Sequence, residues 1–314
     1  MIQLPSYDRG VVWPLAMRFR STVLVCCLAL LWACTPAPPE TPRAVSAKSE
    51  KIARFYARMQ DRQIARGLLR QDGGGPDTVF TQSQLLQNFR DIAFQDEYSA
   101  GLGLTPASPG AAPAVALRKW TNPVRITVEY GPSVPQKTRA AMDGETVAYA
   151  ARLHRITNHP IGVTRFMGNF HILLTSADDR DFLSARLAQL APGLSRKTQE
   201  QLLDLPLDIR CLVMGFGERK TGYRQAVAII RAEHTDLMRR ACLHEELAQG
   251  LGLVNDSPRA RPSIFNDDDE FALLTTHDEY LLKLLYDPRL RPGMHQAEAL
   301  PILRDRLSQI MPDG

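Results

Sequence analysis

The run Gln225–Ala232 (QAVAIIRA) reads as a fully apolar strand, and such a strand folds only where other elements cover it. Elements able to do so flank it on both sides. Val124–Tyr130 (VRITVEY) alternates and is β-branched, which predicts a strand. Pro135–Thr157 is an amphipathic helix on Ala140, Met142, Val147, Ala151, Leu153 and Ile156. Ile161–Arg165, Asn169–Thr175 (NFHILLT) and Cys211–Phe216 (CLVMGF, after Asp204–Pro206) read as further strands, with a hairpin-like turn at Gly217–Gly222. Thr235–Leu251 is a helix, capped by Thr235 or Asp236 and broken at Gly252. Leu281–Tyr286 belongs to a last substantial helix starting near Thr275 or Thr276, where Thr276 and Glu279 have the spacing of a capping box. The order strand–helix–four strands–helix–turn–helix describes an α/β sandwich on one twisted mixed sheet.

Upstream of Trp120 the pattern changes. Thr35–Ser49 is Pro- and Ala-rich and reads as a flexible tether. Glu50–Arg70 has helical periodicity on Ile52, Phe55, Tyr56, Met59, Ile64 and Leu68, ending at Gly73-Gly74-Gly75-Pro76. Ser83–Phe94 predicts a second helix and Gly101–Pro113 a loop. The expected organisation is therefore a leader at 1–33, a tether at 34–49, a helical segment and loop at 50–117, and the sheet domain at 118–314. With 44% hydrophobic and 23% charged residues, such a chain can bury a core, which excludes wholesale disorder. The balance of 38 basic against 34 acidic residues gives only +4, with no Lys/Arg block, so nucleic acid is not an expected partner.

Ser21–Trp32 (STVLVCCLALLW) is a short apolar run behind Arg18 and Arg20, followed by Ala33 and Cys34. A basic flank, about a dozen apolar residues and a small residue before the cut describe a secretory signal peptide. Cys34 directly after Ala33 resembles the bacterial lipobox, which implies diacylation of its sulfur, cleavage before it, and a membrane attachment facing the periplasm. The run is short for an uncleaved membrane anchor, which is the alternative. Thr35 in place of Asp favours the outer membrane. Residues 1–16 are long for the basic flank and carry Asp8, and Met17 makes the better start. Removal of 1–33 takes Arg9, Arg18, Arg20 and Asp8, leaving 35 basic and 33 acidic residues, net +2. Cys26 and Cys27 leave with the signal. Cys211 and Cys242 remain, an even pair in an oxidising compartment, expected to form a disulfide.

The stretch Leu243–Asn266 (LHEELAQGLGLVNDSPRARPSIFN) carries the most chemistry. A zinc peptidase places two His at i and i+4 on one helix face, with a Glu beside the first as general base. Residues 245–255 resemble the metzincin version, His-Glu-x-x-His-x-x-Gly-x-x-His, with the ligands replaced. Glu245, Gln249 and Asn255 stand at the ligand positions, Glu246 at the base position and Gly252 at the turn. Ser263-Ile264-Phe265-Asn266 resembles the Met-turn, with Phe265 in place of Met. The chain as a whole, from the lipobox to Met294, is similar to the domain of unknown function 2927 family of bacterial lipoproteins. That resemblance rests on Glu245-Glu246-x-x-Gln249-x-Leu-Gly-Leu, Asn255-Asp256-Ser257, Ser263-Ile-Phe-Asn-Asp and the final helix. The separate resemblance to metzincins implies a metzincin-like α/β fold, a twisted mixed sheet with a motif helix and a closing C-terminal helix.

The replaced ligands weaken a zinc reading, since zinc prefers His nitrogen and Cys sulfur. One carboxylate and two amides suit a hard cation better, with further oxygens from Glu246, Asp256 or the run Asp267–Glu270. No cofactor is therefore expected, the alternative being a non-zinc divalent cation. The leading expectation is a non-catalytic pseudo-metallopeptidase of the cell envelope that binds a peptide, protein or wall component. An extended ligand would add to Cys211–Phe216 as the edge strand. A metal-dependent hydrolase using Glu246 as general base is the rival, and a structural envelope protein partnering through residues 50–94 is the third reading. His244 is one residue out of register and is expected as a partly exposed helix residue. His234 and His277 lie near ends of elements, Met214 and Met294 read as core and loop, and Asp267–Glu270 as a solvated loop.

If Cys34 is lipidated, blocking lipoprotein signal peptidase with globomycin accumulates a larger precursor, and Cys34→Ala abolishes acylation. A mature protein cut elsewhere and free of lipid would overturn this expectation.

Overall fold

The computed structural model describes residues 45–95, 114–266 and 268–311. Cys34 and the Gly101–Pro113 loop lie outside these. The described residues all fall in one compact unit. Its elements in chain order are α1 (Ala47–Ala65), α2 (Gln82–Ala93), β1 (Val124–Tyr130), α3 (Gln136–Thr157), β2 (Ile161–Val163), β3 (Phe170–Thr175), α4 (Arg180–Leu190), α5 (Arg196–Leu203), β4 (Cys211–Glu218), β5 (Gly222–Arg231), α6 (Asp236–Gly250), α7 (Thr276–Leu285) and α8 (Gln296–Ile310).

The five strands form one mixed sheet in the order β2-β1-β3-β5-β4. β2, β1, β3 and β5 are parallel, and β4 runs antiparallel to β5 at the edge. β3 and β5 are near-continuous apolar runs because both of their faces are covered. Phe170, Ile172 and Leu174 of β3, with Ala226, Ala228 and Ile230 of β5, face a core shared with Leu153 of α3, Leu247 of α6 and Leu281 of α7. Leu173, Val227 and Ile229 face the opposite way, against Leu183 and Leu187 of α4 and Leu202 of α5. The α/β class with one mixed sheet is as expected.

Several details differ from the sequence order above. Two helices absent from it, α4 and α5, fill the stretch between β3 and β4, and their leucines supply the second face of the sheet. α7 is not the last helix, since α8 follows and buries Ala299, Leu303 and Leu307. Residues 47–49, placed in the tether by composition, form the first turn of α1, capped by Ser46, and Ser49 Oγ donates to Glu233 Oε1 at 2.9 Å. The capping box of α7 is Thr275 with Asp278, one residue upstream of Thr276 and Glu279. The shift has a tertiary cause: Asp278 also accepts from Ser263 Oγ (2.5 Å) and Ile264 N (3.1 Å), while Glu279 pairs with Arg152 of α3 at 2.8 Å.

α6 is buried on most of its surface. Its last carbonyls, which have no partner within the helix, accept from aromatic donors: Trp120 Nε1 reaches Gly250 O (2.8 Å) and the Tyr286 hydroxyl reaches Leu251 O (3.0 Å). Gly250 lets the helix touch the sheet, because a Cβ there would lie 2.4 Å from the Phe170 ring. The Cys211–Cys242 disulfide, with Cα atoms 5.9 Å apart, joins the start of β4 to α6. Closing a loop of about 30 residues contributes roughly 3–4 kcal/mol in the chain-entropy model.

Gly252 ends α6 at φ +126°, and a Cβ there would sit 2.1 Å from Arg118 O. Gly252→Ala therefore combines a backbone conformation hostile to L side chains with a clash. A loss of about 1–3 kcal/mol or more is expected, read as a lower urea midpoint at unchanged slope. An unchanged midpoint would show that the turn relaxes freely.

Candidate functional site

Thr235 caps α6 with its side chain, and the helix then carries Cys242, His244, Glu245, Glu246 and Gln249 past the start of β4. Of the three positions at metzincin ligand spacing, only Glu245 lines the adjoining cleft. That cleft holds about 40 Å³ and is walled by Arg210, Glu245, Asp256, Asn266, Asp269 and apolar neighbours. Gln249, one turn on, is buried, and Asn255 turns away to donate from Nδ2 to the Asp91 carbonyl at 2.9 Å. Asn255 thus satisfies one of the last carbonyls of α2. The structure does not bring the three residues together around one point in this cleft.

Arg210 occupies the centre of the arrangement. Its Nη1 lies 2.7 Å from Asp269 Oδ1. Burial alone would push its pKa down, but the charges of Glu245 and Asp269, the hydrogen bond to Asp269 and the charge of Asp256 hold it above its ordinary value. Asp269 also accepts from Gln63 of α1, and its carbonyl accepts from Leu69 N at 2.9 Å. Glu270 is clamped by Arg261 (2.5 Å) and Arg70 (3.2 Å). Asp269 and Glu270 are therefore held in an ion-pair network, while Asp268 is exposed and accepts from Glu270 N at 2.9 Å. Asp267 lies outside the described residues.

Glu246 is 2% exposed, and a carboxylate oxygen of it, one of Glu245 and the Cys211 sulfur lie within 4.8 Å of one another. The sulfur is held in the disulfide, so it offers no thiolate to a cation. A fixed guanidinium amid the acidic groups, an amide spent on a helix carbonyl and a sulfur spent in a disulfide do not fit a zinc centre. The turn resembling a Met-turn is built around Asp278: Ser263 Oγ donates to Asp278 and accepts from Phe265 N at 3.0 Å, with Phe265 fully buried.

The histidines serve the same framework. His244 is buried and not partly exposed as expected. Its ring stacks on Tyr149 (3.8 Å), its Nδ1 accepts from Leu274 N (3.1 Å), and its Nε2 lies 3.2 Å from Glu145. Burial lowers its pKa despite Glu145. His234 Nε2 donates to Arg210 O at 2.9 Å and so positions the backbone that carries the central arginine. Its pKa is depressed to about 3, first by burial and further by Arg231, Arg210 and Arg239, against the hydrogen bond to Arg210 O. His277 is fully buried, with Nε2 3.0 Å from Asn88 Nδ2. Arg210, Lys119, Tyr149 and Asp278 escape sequence reasoning. Lys119, for instance, donates from Nζ to Leu285 O at 2.9 Å beyond the end of α7, and nothing in its local sequence marks it.

The fold and site define an α/β-sandwich domain with an arginine-filled acidic centre. The family model described as Protein of unknown function (DUF2927) matches residues 82–305, and the chain belongs to this family. No curated protein matches the chain, and no solved structure matches it.

A depressed histidine pKa makes the unfolded state the better proton binder between the folded value, about 3 for His234, and the ordinary 6.5. Stability from His234 is present above pH 6.5 and lost as pH falls toward 3, and His244 adds with the same sign. Urea midpoints measured from pH 7.5 to pH 5 should fall. His234→Gln, which keeps a donor for Arg210 O, should flatten that fall. An identical slope in the variant would count against this assignment.

Proposed function

We propose that the protein is a lipid-anchored component of the cell envelope, facing the periplasm from the outer membrane. In this reading its domain is a metzincin-like core that has exchanged metal chemistry for binding. The carrying observation is Arg210: a guanidinium charge lies among Glu245, Asp256 and Asp269, beside the helix where the resembled peptidases hold their cation. Arg210 thus places one fixed positive charge among these carboxylates, where the resembled peptidases place a dication. Glu246 is buried beside the disulfide, poorly presented for proton transfer to a substrate. β4 supports the binding role, because among the described residues no strand pairs with its outer side and the disulfide fixes it to α6. An extended envelope peptide or protein segment would add there as a sixth strand.

Elemental analysis of protein from its own host should find no stoichiometric zinc, and peptide libraries should remain uncleaved with or without zinc, manganese or calcium. One equivalent of zinc, or chelator-sensitive cleavage lost in Glu246→Gln, would place the hydrolase first. Breaking a buried ion pair costs about 3–5 kcal/mol. With the Arg210 side chain 29% exposed, solvent screening lowers the expected cost of Arg210→Ala to about 2–3 kcal/mol. Millimolar calcium should recover part of that loss in the variant and leave the parent midpoint unchanged, since the remaining carboxylates are a hard-cation set. Without recovery, the view of Arg210 as the cation's replacement fails.

A further inference from the structure

A second cavity, of about 420 Å³, lies beyond the C-terminal ends of β3 and β5. It is bounded by α1 on one side and by α5 and residues 204–207 on the other, and it shares no residue with the Glu245 cleft. In open α/β sheets the crevice past the carboxyl ends of the strands is a common ligand position, and this volume is within the ordinary range for small-molecule sites. Its inner walls are apolar: Ile52 and Phe55 of α1, Leu183 of α4, Leu202 of α5 and Ile229 of β5.

Polar groups around the opening are already engaged. Leu203 O accepts from Arg180 (3.0 Å), Leu205 O and Pro206 O from Arg231 (2.5 and 3.0 Å), and Leu207 O from the Tyr56 hydroxyl (3.0 Å). Ser176 Oγ is bonded to Ser133 Oγ at 2.6 Å and to Asp179 at 3.1 Å. A peptide entering the cavity would bury amides with few partners, whereas an alkyl chain carries none. The charges at the rim are different. Lys51 and Arg58 are exposed on the cavity-facing side of α1, seven residues apart with Phe55 between them. Neither has a carboxylate partner among the described residues, while Lys48 has Asp204 at 2.9 Å. Arg231 is bonded to carbonyls alone, so its charge is also not neutralised by a contact.

We propose that this cavity binds a single-chain amphiphile with an anionic head, its alkyl chain between α1 and the ends of β3 and β5 and its head on Lys51 and Arg58. The proposal does not rest on binding at β4. A fatty-acid carboxylate and a lysophospholipid phosphate share the required chemistry.

The test uses the full chain in nanodiscs of zwitterionic phosphatidylcholine, with empty nanodiscs as the background and 11-(dansylamino)undecanoate as fluorescent probe. Saturable one-to-one binding with Kd of about 1–10 µM is expected. Laurate and lauroyl lysophosphatidate should displace the probe, and the stronger of the two identifies the head. Monolaurin, with the same chain and a neutral head, should be weaker by roughly tenfold or more. The double variant Lys51→Glu/Arg58→Glu, changed only at exposed positions, should lose about tenfold or more in probe affinity at an unchanged urea midpoint. Leu207→Trp, at the half-exposed mouth, should block probe and monolaurin alike. Absence of saturable binding up to about 100 µM, equal displacement by monolaurin, or full affinity in the double variant would each overturn the proposal. So would displacement by an apolar peptide at lower concentration than laurate.

Discussion

Helix α6 is buried on nearly every side, between the sheet and the elements that follow it, and the rest of the molecule is arranged to make that burial tolerable. A helix can be enclosed in this way only if its end carbonyls find donors and its polar side chains find partners. Trp120 and Tyr286 close the end of the helix, Tyr149 donates to His244 O at 2.9 Å, and Arg239 turns back to the His234 carbonyl. Gly250 brings the helix onto Phe170, and Gly252 turns the chain out beneath Arg118. From this one packed helix follow the position of the disulfide, the placement of Glu245 and Glu246, and the path of the 255–265 segment.

Electrostatics then decides what the packed centre can do. Glu245, Asp256 and Asp269 together would repel one another in a partly dehydrated cleft, and a positive charge is needed among them. In a metallopeptidase a dication serves that purpose and also lowers the pKa of a bound water. Here the charge comes from Arg210, whose guanidinium neutralises and orients but generates no nucleophile. The network reaches outward through Asp269 to Gln63 of α1 and through Glu270 to Arg70 and Arg261. The N-terminal helical segment is therefore bonded to the same centre as the motif helix.

The second face of the sheet has a separate character. α4 and α5 cover Leu173, Val227 and Ile229, but together with α1 they leave an apolar recess with basic residues at its opening. One side of the domain thus holds an acidic centre filled by a guanidinium, and the other holds an open apolar cavity with basic residues at its rim. The outer edge of β4, with which no strand among the described residues pairs, belongs to neither.

The sequence by itself determined the strands and the two helices that carry the core. Alternation marks Val124–Tyr130 as a strand. The helix at Pro135–Thr157 forms, but Ala140, Val147 and Ala151 of its expected face are exposed, and the buried face is Met142, Thr146, Tyr149, Ala150, Leu153 and Thr157. The sequence also marked the break at Gly252, because only glycine suits φ +126°. The Cys211–Cys242 pair was legible from cysteine count together with an expected oxidising compartment, and it is bonded. The weak signals went unread: the leucines of α4 lie in a stretch whose mean pattern is barely amphipathic, and Thr275 with Asp278 looks no better locally than Thr276 with Glu279. What surrounds Glu245 was beyond any local reading. Arg210 is 35 residues upstream of it by number, and Asp269 is 24 downstream. Only the closing of β4 against α6 and the return of the 256–270 segment bring these charges together. Ion pairs between distant segments leave no periodicity in a sequence, since their partners are chosen by tertiary proximity and not by spacing along the chain.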